Sequence, residues 1–430
     1  MKKYNYLILI IIVLVAVFFR IYKIQEYFNF SGELGDNLLD IKNIWNGTRS
    51  TLIGPPTSHP WLYFGPLYYW LLLPVELIFA FSPLGAGFLG TLVGTIIVLV
   101  NYLIISKIYN QKIALISSFL MSFSPLWVDF SRDSRFYFLI TLLFYPLLCL
   151  MTKKEKINMF LVGIIVGLML NLHYSAVIFI PVILILKKDI KRFISGIVIP
   201  LTPLIIYDGL RGFSMTKNIL IWFPYRVAGF FGLYPKNNFS LASFQGSLNS
   251  IVKLFGNTLT EQTLLWPLLI VVSLFVIIFH LRNRFIVITL IMAIVAVVIH
   301  GDSPLHYLLP IFPIPLILYS LFIEKLAVNN IGKIMAILLL VTFMTSNSWI
   351  RFRLPEITYD RQIKAAQEII RQAGGKKFSL VRVGPNDQFE ENYSQNYHYL
   401  LWYSGNEPVE GQNLKFTIIE NNRDILIIKS

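Results

Sequence analysis

Met1-Lys2-Lys3-Tyr4-Asn5-Tyr6-Leu7-Ile8-Leu9-Ile10-Ile11-Ile12-Val13-Leu14-Val15-Ala16-Val17-Phe18-Phe19-Arg20 sets two lysines before about fifteen apolar residues. It has the charged and apolar regions of a signal peptide without a small-residue cleavage site after them, so it reads as a retained first membrane span. The remaining sequence repeats that pattern. Of 430 residues, 56% are hydrophobic and 14% charged, with a mean hydropathy of +0.65; a soluble protein has about 45–50% and about 25%. At ~20 residues per span, roughly ten or eleven membrane helices are expected. A soluble enzyme, a disordered chain and a single-pass receptor are excluded. The one cysteine, Cys149, lies in an apolar run, so neither a disulfide framework nor a Cys-based metal site is expected.

The net charge of +14 is spent on topology. Basic clusters at Lys107/Lys112, Lys153/Lys154/Lys156, Lys187/Lys188/Lys191/Arg192, Arg282/Arg284 and Lys325/Lys333 each stand in a short connection between apolar runs. The positive-inside rule makes all of them cytoplasmic. The expected spans are then 5–21, 87–106, 113–128, 137–152, 157–172, 175–187, 193–207, 264–281, 284–300, 306–323 and 333–348. The N-terminus falls inside and the C-terminus outside. The apolar run 62–81 breaks this alternation. It carries Pro66, Pro74 and Glu76 and opens with Trp61, Tyr63, Tyr68, Tyr69 and Trp70. Aromatic crowding suits the headgroup region and a mid-bilayer carboxylate is costly, so an interfacial helix is expected, with an ordinary span as the alternative.

Two long outer loops follow from this layout: the first, 24–86, includes that helix, and the second, 208–263, holds an amphipathic stretch over 239–255. From 355 the composition turns soluble. An amphipathic helix over 359–373 ends at Gly374-Gly375, followed by a strand at 378–383, a helix near 391–403 and strands at 415–420 and 424–429. The expected fold is therefore an all-α polytopic membrane domain over 1–354 with about eleven spans, and a small extracytoplasmic α/β cap over 355–430. No internal repeat is present, which argues against transporter folds built from inverted repeats.

Topology gives the scarce ionisable residues one address, the outer face. Glu33 and Asp36 follow the first span, and share a helix face if Gly35 lets a helix begin there. A carboxylate in a partly apolar site can act as general base toward a hydroxyl; solvated loop acids are the alternative. Arg132, Asp133 and Arg135 lie at the outer end of the third span, where arginine forks suit phosphate oxygens or snorkel to the interface. His173-Tyr174 and His306-Tyr307 mark two further outer turns, available as ligands, acid/base groups or structural residues. Gly54-Pro55-Pro56-Thr57-Ser58-His59-Pro60 is a stiff turn into the aromatic helix. Motifs of the HExxH, CxxC, Walker and GxGxxG types are missing. No cofactor and no obligatory metal are expected, although Glu33, His59 and His173 are the residues that would meet around one.

Phe19-Arg20-Ile21-Tyr22-Lys23, an acidic motif about ten residues on, Pro55-Pro56, His59-Pro60, Gly65-Pro66-Leu67-Tyr68-Tyr69, Ser124-Pro125 and Phe130-Ser131-Arg132 together resemble the GT-C superfamily of polyprenyl-phosphate-sugar-dependent glycosyltransferases. The similarity is greatest to bacterial members of the protein O-mannosyltransferase and lipid A aminoarabinose transferase group. It covers the whole chain in layout and is motif-specific over 19–136, with support from His173-Tyr174 and 304–313. The resemblance implies an acidic pair in the first outer loop, juxtamembrane helices there and a C-terminal outer domain. This chain departs from the family's Asp-led motif: Glu33 stands at the matching position, followed by Leu34, with Asp36 three residues on. The base role is carried to Glu33 with Asp36 in support, and the second outer-loop acid to Asp133, with Asp129 competing.

The implied reaction is inverting transfer of a sugar from polyprenyl phosphate to an acceptor hydroxyl on the extracytoplasmic face. Arg132, Arg135, Arg226 and Lys236 are the expected donor-phosphate contacts; Asp133, His59, His173, Tyr174, His306 and Tyr307 are the expected pocket. Partners are the polyprenyl-phosphate-linked sugar donor, a lipid, glycan or protein acceptor and membrane lipids, with no nucleic acid. The chain is expected in the plasma or inner membrane. A transporter or flippase of a lipid-linked substrate, and an outer-face glycan ligase, are the competing readings.

Overall fold

The computed structural model describes residues 2–133, 138–153, 157–186, 189–233, 240–301, 303–350, 357–385, 393–421 and 424–430. In chain order the helices are α1 (Lys2–Ile21), α2 (Ile24–Tyr27), α3 (Gly32–Trp45), α4 (Leu67–Ile78), α5 (Leu84–Ile108), α6 (Gln111–Phe123), α7 (Pro125–Arg132), α8 (Leu139–Thr152), α9 (Met159–Leu172), α10 (Phe179–Leu186), α11 (Ile190–Gly209), α12 (Ser214–Phe230), α13 (Leu241–Leu259), α14 (Trp266–Phe279), α15 (Arg284–His300), α16 (Pro313–Leu326) and α17 (Asn330–Ile350). A cap follows with α18 (Tyr359–Ala373), β1 (Ser379–Val383), α19 (Gln395–Tyr403), β2 (Lys415–Asn421) and β3 (Asp424–Lys429). Short 3-10 segments, Tyr174–Ile178 and Leu305–Ile311, lead toward α10 and α16.

Each expected span overlaps an α-helix among the described residues, several of them running through 3-10 turns, with 137 and 187 outside those residues. Among the described residues, α1, α5, α11 and α17 supply four helices long and apolar enough to cross a membrane, or seven spans if each bent pair is one. The pairs are α6 with α7 (58°), α13 with Thr263–Phe279 (107°) and Leu305–Ile311 with α16 (59°). Proline explains two of these bends: Pro125 and Pro313 each remove an amide donor where the axis turns. The 107° corner before α14 sets α13 across the line of that helix, as an interfacial helix requires. At 12 residues α4 is ~18 Å long, well short of the ~30 Å hydrocarbon core.

Paired polar side chains lock two helices of the bundle. Asn101 of α5 donates to Ser118 Oγ (2.9 Å), and Ser117 Oγ donates back to Asn101 Oδ1 (2.9 Å), so two apolar helices lock without a stranded amide. Helices α9 and α11 meet at Gly163 and Gly196, where a Cβ on Gly163 would lie 2.1 Å from the Phe193 carbonyl.

The structure adds to one reading and corrects another. The segment 208–263 holds more than the helix expected over 239–255, which is seen as α13. It also contains α12, whose start is fixed by the buried Asp208 carboxylate accepting from Met215 N–H (2.7 Å), Thr216 N–H (3.0 Å) and Thr216 Oγ1–H (2.6 Å). Gly35 does not begin a helix. Helix α3 starts at Gly32, with Ser31 as N-cap accepting from Leu34 N–H. Gly35 is instead where the cap approaches: a Cβ there would lie 2.3 Å from Asn396 N, and one on Gly32 2.7 Å from the Tyr393 carbonyl oxygen.

Helices and strands form close to where the sequence places them after 357, with 391–392 of the expected helix outside the described residues. Thr358 caps α18 and Gly374, at φ 58°, ends it. The sheet order is β1-β2-β3, with β1 parallel and β3 antiparallel to β2. Arg382 and Glu420 pair across β1 and β2, and Tyr397 O–H donates to Glu420 (2.6 Å). The cap sits on the segment leading into α3 through Gln362 Nε2–H donating to the Phe30 carbonyl (3.0 Å), and on the α4–α5 turn through Tyr399 O–H donating to the Phe81 carbonyl (2.7 Å).

Candidate active site

Positions 33, 36, 37 and 40 lie on one face of α3, away from the Gly32 and Gly35 notch that receives α19. Glu33 in the first turn is exposed, Asp36 half-buried, and Asn37 and Asp40 buried. The buried end is a scaffold. Tyr69 O–H donates to Asp40 (2.6 Å) and lies 3.1 Å from Asn37 Oδ1. Arg49 pairs with Asp40 (2.9 Å) and also donates to the Gly54 carbonyl (3.0 Å). Burial outweighs both partners and pushes the Asp40 carboxyl up to about 7.

Tyr68, the neighbour of Tyr69, collects the acids. It is fully buried, and its hydroxyl is held well above the usual phenol range by burial first, then by Glu76, Glu33 and Asp133. Asp133, at the end of α7, is fixed by Asn29 Nδ2–H (2.8 Å). Glu33 and Asp133, a hundred residues apart in sequence, thus bear on one phenol. Arg132 is buried, donates to the Phe19 carbonyl and stacks its guanidinium over the Tyr27 ring at 4.9 Å. Arg135 and Lys236 lie outside the described residues.

The turn before α4 connects these acids to a second group. Asn171 at the end of α9 holds it, its carbonyl accepting from Gly65 N–H (2.8 Å) and its Oδ1 from Leu67 N–H (2.8 Å). Asn171 Nδ2–H reaches the Pro200 carbonyl of α11 (2.8 Å). Phe64 stacks on His173 at 5.0 Å, and Tyr174 O–H donates to the Tyr63 carbonyl (2.6 Å). His173 meets His306 (5.7 Å between ring centres) and Tyr307 (5.3 Å), and Tyr307 meets His300 (4.8 Å). Arg226 of α12 donates to the His300 carbonyl (3.2 Å) and lies over Trp222 at 5.6 Å. His59 stacks on Trp61 and meets Trp222 edge-on at 5.5 Å. Burial lowers the His173 proton affinity to about 3, with His306 adding to it, and burial followed by Arg226 lowers that of His59.

Of the expected pocket, His59, His173, Tyr174, His306 and Tyr307 form this aromatic group with Arg226, whereas Glu33 and Asp133 belong to the acidic one. Sequence reasoning missed Asn29, Asn171, Tyr68 and Trp222 as residues that build these two groups. The aromatic crowding over 61–70 was the available signal for Tyr68; single asparagines carry none. Among the described residues no three His, Cys, Asp or Glu side chains gather as a metal site.

A family model described as dolichyl-phosphate-mannose-protein mannosyltransferase matches residues 58–206, about a third of the chain, including Tyr68, Asp133, Asn171 and His173. No curated protein sequence matches the chain. Among solved structures, the chain is similar to ArnT from Cupriavidus metallidurans bound to undecaprenyl phosphate, with a TM-score of 0.62 at 10% identity, covering 98% of this chain and 97% of that one. It is also similar to the archaeal oligosaccharyltransferase AglB from Archaeoglobus fulgidus, in complex with an inhibitory peptide and a dolichol-phosphate. There the TM-score is 0.55 at 14% identity, covering 94% of this chain and 63% of that one. The likeness to these solved structures over nearly the whole chain gives it their fold, and the family match covers 58–206 within it.

Proposed function

We propose that the chain is a membrane glycosyltransferase that moves a sugar from a polyprenyl-phosphate donor to an acceptor hydroxyl on the extracytoplasmic face, with inversion. The observation that supports this most is the Asn29–Asp133 hydrogen bond, which ties the segment leading to the exposed Glu33 to the end of α7, with the turn before α4 joining this acidic group to the His173, His306 and Arg226 group. Glu33 takes the acceptor's proton as its oxygen attacks the anomeric carbon, with Asp36 and Asp133 as supporting acids. The anomeric carbon–oxygen bond breaks and its electron pair leaves with the phosphate. A phosphate monoester is a good leaving group and needs positive charge rather than a general acid. Arg226 is best supported for that task, since it stands beside His59, His300 and Tyr307; Arg132, Arg135 and Lys236 remain assigned to the same phosphate by sequence.

His59, His173, Tyr174, His306 and Tyr307 line the sugar pocket. The donor's lipid tail lies against the bundle below α4, and the cap over 355–430 helps select the acceptor. The purified protein in lipid, given a panel of polyprenyl-phosphate sugars and acceptors, is expected to release polyprenyl phosphate. Release by the wild type and its loss in Glu33→Gln tests the assignment.

A further inference from the structure

Glu76 bears on Tyr68 together with Glu33 and Asp133 but has no part in the proposed transfer, and its surroundings are unusual for a carboxyl. It is fully buried on α4, and neither oxygen has a hydrogen-bond partner among the described residues. The missing side chain of Gly85 makes its room, since a Cβ there would lie 2.7 Å from Glu76 Oε1. The Ala86 amide at the start of α5 faces it without completing a hydrogen bond. The titratable groups turned toward it are phenols: Tyr68 from α4, Tyr359 from α18 and Tyr399 from α19, with Tyr403 acting on the last two.

Directly above Glu76 the chain is strained. Ala80 and Phe81 both adopt left-handed backbone, at φ 49° and 61°, a conformation residues with a Cβ avoid unless their surroundings impose it. The Glu76 carbonyl accepts from Phe81 N–H (2.7 Å), and the cap secures the rest. Tyr399 O–H donates to the Phe81 carbonyl, and Trp402 meets the Phe81 ring edge-on at 5.8 Å. The same helix α19 fills the Gly32 and Gly35 notch behind Glu33. A buried, unsolvated carboxyl, a strained turn and the seat of the catalytic helix are therefore one mechanical unit.

We propose that Glu76 is a positioning residue: uncharged beneath the α4–α5 turn, it lets α19 stay seated on α3, and its ionisation unseats the cap. The sign follows from burial, which raises the Glu76 carboxyl from 4.5 to about 8. Below 4.5 the proton is bound whether or not the cap is seated, and docking is at full strength. Docking weakens as pH rises from there through about 8, because the unseated state gives up its proton first. The importance of this seat for catalysis rests on the transfer reading of Glu33; the docking equilibrium is measured without substrate, so the two fail separately.

The test is hydrogen exchange of the α19 amides in the full chain in lipid nanodiscs at pH 6 and pH 8, corrected for intrinsic exchange. Wild-type protection is expected to fall by on the order of tens of fold, while Glu76→Gln stays flat. Tyr399→Phe is expected to lower protection about fivefold at both pH values and keep the wild-type slope. A pH-invariant wild type, a Glu76→Gln slope equal to the wild type's, or an unaffected Tyr399→Phe overturns the proposal.

Discussion

Asn29 donates a 2.8 Å hydrogen bond to Asp133 Oδ1, tying the segment that leads into α3 to the end of α7 across 104 residues of sequence. It is the direct side-chain link between the strand of chain bearing Glu33 and the acid opposite it. Asn29→Leu is expected to lower transfer by about ten- to a hundredfold with little loss of folded protein, because misplacing a reacting group by about 1 Å is enough for that effect. Initial rates at saturating donor, set beside thermal unfolding, check it; an unchanged rate removes Asp133 from the site.

The Asp40, Tyr69 and Arg49 scaffold carries stability. Tyr69→Phe removes one charge-assisted hydrogen bond and is expected to cost about 1–2 kcal/mol. Arg49→Met leaves the buried Asp40 without its cation and is expected to cost about 2–3 kcal/mol. Denaturation in one detergent, compared across the two variants, gives the order; Tyr69→Phe exceeding Arg49→Met contradicts it.

Ser175 N–H donates to His173 Nδ1 at 3.1 Å, which puts the ring proton on Nε2 and keeps the imidazole neutral. With its proton affinity lowered to about 3, His173 is expected to hold one nitrogen chemical shift from pH 5 to 8. Acid weakens the fold accordingly. As pH falls below the ordinary 6.5, the unfolded chain binds a proton that the buried ring refuses, at about 1.4 kcal/mol per pH unit until about 3. Nitrogen-15 histidine spectra check this, and a titration of His173 near 6.5 contradicts it.

Much of the architecture could be read from periodicity and punctuation, because those signals are local. Gly374-Gly375 marked the end of α18 to the residue, and the alternation in 415–420 and 424–429 marked β2 and β3. The bends at Pro125 and Pro313 were missed since hydropathy continues through them. Gly35 was misread because a glycine that frees the backbone and one that admits another helix are the same letter. Glu33, Asp133, His173 and His306 could be singled out by residue type and by the common side expected of them. Asn29 and Asn171 were not, since an amide's partner exists only after the chain has folded.

Reporter fusions test the topology that puts those residues on one side. A fusion after Ser430 is expected to be extracytoplasmic and one within 153–156 cytoplasmic, by the distribution of basic residues. Alkaline phosphatase and green fluorescent protein fusions read the two sides. An inverted result places the cap and Glu33 inside and removes the shared outer face.

The central claim, that Glu33 is the base of a polyprenyl-phosphate-dependent glycosyl transfer, is most directly tested by measuring polyprenyl phosphate released by purified wild-type protein and Glu33→Gln in lipid with a sugar donor and acceptor. The account predicts acceptor-dependent release by the wild type and a loss of about 10²–10⁴-fold in Glu33→Gln with donor binding retained. Wild-type-like release by Glu33→Gln contradicts it.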